Sequence, residues 1–199
     1  MRNIYYISAI LLGILISACS NETAKKEEDI EKTSKTSAFD TTKLRLFSLK
    51  DHELDISIYV PNNTYKDEEG IERYNPPNIT HNDGEARWEI TMPSDKDWHM
   101  VIEEMGDEEV SLEKEKNRQS NTIFDRDYIE EGENYFLYTE GINQEKSTLE
   151  NDDETISPDY HFYCLREING YNLVFKSHEM GDFYKPTIKA MLTSAIFAK

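Results

Sequence analysis

Cysteine is nearly missing from this chain, with two in 199 residues, so a small disulfide-stapled scaffold is excluded. Basic residues are few beside acidic ones, 22 against 40. The resulting formal charge of −18 argues against a nucleic-acid binder, because such a field repels phosphates. Hydrophobic residues reach only 37%, yet aromatics make up 11%, too many for a wholly disordered chain. The eight glycines stand singly, no two close enough to cradle a phosphate. Neither a Gly-x-Ser-x-Gly elbow nor a His-Glu-x-x-His pair occurs, and no repeat of solenoid length is visible. The length leaves room for one ordinary domain.

One long apolar run is present, from Ile4 to Ala18, interrupted only by Ser8, Gly13 and Ser17. Arg2 is the sole charged side chain before it. A membrane-spanning helix needs about 20 apolar residues, and this run is shorter and meets a strongly polar segment at once. It reads as the h-region of an export signal. The run closes on Ile16-Ser17-Ala18-Cys19, which resembles the bacterial lipobox. That resemblance implies cleavage between Ala18 and Cys19, with diacylglycerol on the Cys19 thiol. An ordinary secretory signal with a chance Cys, or an uncleaved short anchor, is the alternative. Residues 1–18 are therefore expected to be a lipoprotein signal peptide.

Residues 19–38 follow as lipidated Cys and tether. Ile30 is the one large apolar residue between Ser20 and Ala38, so this segment has no face to bury. As a flexible chain it reaches on the order of 24 Å. Lys26-Glu27-Glu28-Asp29 resembles the signal that sends lipoproteins of Bacteroidota to the cell surface; a plain solvated spacer is the alternative. Arg2 contributes the charge lost with the signal and the tether carries −1, which leaves −18 on residues 39–199.

Those residues read as a single α+β domain. Leu54, Ile56, Ile58 and Val60 alternate with polar residues, as do Ala86, Trp88, Ile90 and Met92. Pro61 and Pro93 end the two runs. Trp98 to Glu103 is the next strand, joined to its predecessor by a turn over Ser94–Asp97 as an antiparallel pair. Glu108 to Gln119 is helix-compatible, with a strand over Val110–Lys116 as the alternative. Tyr135 to Thr139 is a strand. Tyr160–Ile168 and Tyr171–Ser177 flank Asn169-Gly170, the strongest hairpin signal in the chain. Residues 62–84 and 143–159 read as polar loops. A closing amphipathic helix carries Tyr184, Ile188, Met191, Leu192, Ala195 and Ile196 on one face, with Pro186 in its first turn and Phe197 turned away.

Three stretches, Tyr160-His161-Phe162-Tyr163, Glu167-Ile168-Asn169-Gly170-Tyr171 and Met191-Leu192-Thr193-Ser194-Ala195, resemble small uncharacterised lipoproteins of Bacteroidota. The order of strands, Pro-ended segments and closing helix is similar to the PsbP-like fold, over most of residues 44–199. That fold is an antiparallel sheet flanked by helices, found in photosystem subunits, a nuclear transport factor and bacterial lipoproteins. The resemblance implies a non-catalytic binding or assembly role.

Local chemistry is sparse. Cys164 sits among aromatics in a predicted strand, and His161, three residues upstream, points to the opposite face of that strand. A buried, inert thiol is expected rather than a nucleophile. The five histidines, His52, His81, His99, His161 and His178, lack the spacing of a zinc motif and read as scattered. Asp107-Glu108-Glu109 and Asn151-Asp152-Asp153-Glu154 read as solvated acidic loops rather than calcium sites, having no Gly-centred loop. Tyr135, Tyr138, Tyr160, Tyr163 and Tyr171 are expected to pack the sheet; a carbohydrate or peptide surface is the alternative.

The sequence therefore points to a non-enzymatic module of the cell envelope, at the outer membrane on its periplasmic or exposed side. It is held at the membrane through lipid on Cys19, without cofactor, metal or catalytic residues, and its expected partner is a basic envelope protein. An acidic immunity-type inhibitor of a basic toxin is the second reading, and a hydrolase the third.

Overall fold

The structure, a computed structural model, describes residues 43–82, 84, 86–119, 124–142, 159–181 and 183–199. These fall in one compact unit, Ser37–Lys199. The expected signal peptide, the expected lipid site at Cys19, the expected tether and the acidic run 151–154 lie outside the described residues.

The α+β class expected from the sequence is what the chain forms. Seven strands make one antiparallel sheet: β5 (Asn78–Asn82), β6 (Arg87–Met92), β7 (Asp95–Glu104), β11 (Tyr171–Ser177), β10 (Asp159–Ile168), β9 (Tyr135–Ile142) and β8 (Phe124–Glu131), in that spatial order. Two three-stranded meanders, β5-β6-β7 and β8-β9-β10, are thus joined by β11 between them. The β10–β11 hairpin turns on Asn169 and Gly170, at φ 52° and 85°. Both central residues of this turn need positive φ, as the Asn-Gly pair predicts.

β1 (Leu44–Ser48) and β2 (Ser57–Pro61) form a separate antiparallel pair, and α2 (Lys185–Ile196) closes the chain. Both lie on one face of the sheet. Trp88, Ile90, Met100, Ile102, Phe162, Cys164 and Phe175 from the sheet meet Ile58 and Val60 from β2 and Ile188, Met191 and Leu192 from α2. Leu54, Ile56, Ile58 and Val60 are all buried, although β2 itself begins only at Ser57. Part of the second face is covered by α1 (Leu112–Gln119), which lies in the connection from β7 to the far edge strand β8. Phe136, Tyr138, Tyr163 and Val174 pack there against Val110, Leu112 and Tyr128.

α1 starts later than Glu108 because Ser111 caps it, its Oγ accepting the Lys114 N–H at 3.1 Å. α2 has Pro186 in its first turn, as expected. Its buried stripe includes Ser194 and omits Tyr184, which is exposed at the N-cap. The Ser194 hydroxyl accepts the Tyr59 N–H of β2 at 3.1 Å, which accounts for a polar residue in the interface. Arg166 of β10 donates to the Ala195 and Ala198 carbonyls at 3.1 and 3.2 Å, satisfying the end of α2 with a cation.

Several sequence expectations are corrected. Residues 62–84 are not all loop: β3 (Thr64–Lys66) and β4 (Glu72–Tyr74) form an exposed ribbon, and β5 is an edge strand. β5 offers Ile79 as its only large aliphatic residue, too little to register as a period. Ala86 lies outside β6 because its φ of 47° breaks the extended run. The turn after β6 is tighter than Ser94–Asp97, since Met92 already pairs with Asp95. β8 has no counterpart in the sequence reading, because its half-buried positions include Arg126 and Glu130.

Leu192 is 3% exposed between α2 and the sheet. Leu192→Ala is expected to lower unfolding free energy by about 2–5 kcal/mol in urea titrations. A change below about 1 kcal/mol contradicts the docking of α2.

Candidate functional site

The second face of the sheet is built in two unlike halves. Over β8, β9 and β10 it is aromatic and lies under α1; over β6, β7 and β11 it is polar. Strand alternation and register dictate the polar half. Arg87, Glu89 and Thr91 of β6 stand on this face. They pair in turn with Glu103, Val101 and His99 of β7. On the other side of β7, Val174 and Lys176 of β11 pair with Glu103 and Val101. The His178 N–H donates to the His99 carbonyl at 3.1 Å, extending the same row. The result is three rows across three strands: Arg87–Glu103–Val174, Glu89–Val101–Lys176 and Thr91–His99–His178.

Charge fills this lattice in pairs. Arg87 reaches Glu103 at 2.6 Å and Glu89 at 3.1 Å. Lys176 reaches Glu103 at 3.0 Å and Glu179 at 3.3 Å. Burial works against the Arg87 charge, but Glu89 and Glu103 outweigh it and hold the guanidinium above its ordinary value. Burial likewise opposes the Glu89 charge, and the hydrogen bonds from Arg87 and His99 overcome it, so its carboxyl lies below the usual range. The three carboxylates, Glu89, Glu103 and Glu179, exceed the two cations, Arg87 and Lys176, by one charge.

Cross-strand neighbours interact directly. The rings of His99 and His178 stack at 4.0 Å between centroids and 16° between planes. His99 Nε2 stands 3.4 Å from Glu89 Oε2. One donor atom from each of Glu89, His99 and His178 falls within 4.8 Å of the others. Burial first, and then the His178 ring, lower the pKa of His99. Chemically, this is a mixed nitrogen and carboxylate donor set on two strands and the turn that follows β11.

These histidines read as scattered in the sequence, since 79 positions separate His99 from His178. Only the β7–β11 pairing brings them together. His81 is elsewhere, stacked on Trp88 at 4.5 Å, and the His52 carbonyl accepts the Trp88 indole N–H at 2.7 Å. His161 is buried against Tyr138, its Nδ1 2.9 Å from Ser177 Oγ. Cys164 lies in the core on the α2 face, as expected, and burial pushes its thiol up to about 12. Tyr138 and Tyr163 are buried, and burial raises both phenols. That agrees with their reading as sheet packing.

A second feature lies where residues 105–110 pass the end of the β10–β11 hairpin. An open groove of about 320 Å³ is lined there by Met105, Val110, Leu165 and Leu173, with Glu108, Glu109 and Glu167 among its polar residues. Asn172 donates to the Gly106 carbonyl at 2.9 Å and ties this segment to β11. Comparison with protein-family models, curated proteins and solved structures returns no match to the chain.

His161 is buried with its pKa lowered, by burial above all. Above the unfolded value of about 6.5, neither folded nor unfolded chain protonates it, and it contributes nothing to pH dependence. As pH falls through that value the unfolded chain takes up a proton that the folded one resists, so stability is lost. The stability of His161→Gln relative to the native chain is therefore expected to improve from pH 7.5 to 5.5 in urea titrations. A constant offset between the two contradicts this.

Proposed function

We propose that the chain is a lipoprotein held in the cell envelope through Cys19, at the outer membrane, and that residues 39–199 bind a basic partner without turnover. The observation that carries the binding role is the groove beside the β10–β11 hairpin. Met105, Val110 and Leu165 give it an apolar lining, and Glu108, Glu109 and Glu167 outnumber its one cation, Arg166, whose guanidinium is engaged by the Ala195 and Ala198 carbonyls. Apolar surface beside like charges suits a segment that presents a hydrophobic residue among Lys or Arg. The domain's charge of −18 acts at longer range, drawing basic proteins in and keeping the domain off anionic lipid.

The anchor rests on Arg2, the apolar run and Ile16-Ser17-Ala18-Cys19, in that order. Among the described residues no helix is long and apolar enough to cross a membrane. The antiparallel sheet with α2 packed on one face supports the resemblance to the PsbP-like fold, and with it a binding or assembly role. A basic toxin neutralised at the envelope is one form the partner can take.

The test uses the mature chain as bait against envelope extract, at low and high salt. A basic protein should be retained at low salt, released at high salt, and lost with Glu108→Lys/Glu109→Lys/Glu167→Lys. In cells, Cys19→Ala should abolish fatty-acid labelling. No captured partner at either salt, together with a hydrolytic rate that disappears on changing one carboxylate or His, overturns the binding role. Normal acylation of Cys19→Ala overturns the anchor.

A further inference from the structure

We infer that Glu89, His99 and His178 form a binding site for a divalent transition-metal ion of the zinc class. The inference is independent of the groove and of any protein partner. It rests on the donor set, its spacing, and the way the sheet holds it.

Spacing comes first. Zinc bonds to His nitrogen and carboxylate oxygen are about 2.0–2.2 Å long, so two donors at a tetrahedral angle stand roughly 3.3–3.5 Å apart. His99 Nε2 and Glu89 Oε2 are 3.4 Å apart. One edge of the tetrahedron is therefore already in place. The third donor, from His178, lies within 4.8 Å of both, and completing the set takes a rotation of this ring out of its stack on His99.

The sheet also holds the donors in place. Glu89 and His99 sit on adjacent paired strands, and His178 is fixed by its N–H bond to the His99 carbonyl. Glu89 divides its oxygens: Oε1 takes the Arg87 guanidinium at 3.1 Å, and Oε2 faces His99. Arg87 thereby orients the carboxylate without occupying the oxygen a metal would use, as outer partners commonly do for metal ligands. Arg87 is itself paired with Glu103, and Lys176 with Glu103 and Glu179, so neither cation stands uncompensated beside the ion.

Ligand chemistry sets the ion. Two imidazoles and one carboxylate suit zinc and its neighbours, whereas calcium and magnesium take sets made of oxygen alone. Three protein donors leave a coordination position for water or for a donor brought by a bound molecule.

The site also carries a signature of its own. The Met180 N–H donates to His178 Nδ1 at 3.1 Å. An imidazole that ligates through Nδ1 displaces this N–H, and one that ligates through Nε2 carries its proton on Nδ1 and repels it. Either way the Met180 amide loses its acceptor when the ion binds. Met180 is 86% exposed, so the turn after His178 has room to adjust.

The experiment is calorimetric titration of the full chain, detergent-solubilised and carrying Cys19→Ser, with zinc chloride alone. One equivalent should bind, with calcium and magnesium failing to compete. Glu89→Gln, His99→Gln and His178→Asn should each weaken binding by at least about tenfold. Thermal unfolding in the absence of metal identifies any variant that has lost its fold, and His178→Asn, beyond the end of β11, carries the test if the others have. In nitrogen-15 spectra the Met180 amide should shift at one equivalent. No stoichiometric binding by the folded chain overturns the inference. So does binding that folded His178→Asn leaves unchanged with Met180 unmoved.

Discussion

Burial of β11 on both sides is the constraint from which the rest of the domain follows. Leu173, Val174 and Phe175 are consecutive, and none is more than 1% exposed. Leu173 and Phe175 enter the core shared with α2, and Val174 enters the smaller core containing Phe136 and Tyr163. A strand buried on both faces needs hydrogen-bonded neighbours on both edges, because no water reaches its backbone. β10 supplies one edge through a two-residue turn, and β7 supplies the other from a distant part of the chain. That second pairing makes one sheet out of two meanders.

The same strand decides where the polar surface lies. Past Phe175 the side chains on the second face change from Val174 to Lys176, and His178 follows beyond the strand end. Each stands opposite a β7 residue whose partner on β6 is also polar or charged. Apolar packing at one end of β11 thus fixes the register at the other, and His99 meets His178 as a consequence. A slip of one residue would turn Lys176 into the core and Phe175 onto the polar face. The hydrophobic core therefore specifies the geometry of a site that contains almost no hydrophobic residues.

Legibility in the sequence followed how each element earns its burial. β6, the β10–β11 hairpin and α2 carry strong periods or turn chemistry of their own, and their positions were readable within a residue or two. β8 and β5 were not, because their half-buried positions hold Arg126, Glu130 and His81, polar residues that pack with their stems and rings and so leave no apolar period. Arg126, for instance, lies 4.2 Å from the Tyr138 ring and pairs with Glu140 at 2.7 Å. The burial of Cys164 was local and could be read; the meeting of Glu89, His99 and His178 was not. No spacing rule links residues that only a long-range β pairing brings together.

Native-state hydrogen exchange tests the central place of β11 most directly. If this strand holds the two meanders together, the amides of Leu173, Val174, Phe175 and Lys176 exchange only through global unfolding, while those of the edge strands β5 and β8 open at lower free energy. Exchange of the β11 amides at the same free energy as either edge strand would contradict the account.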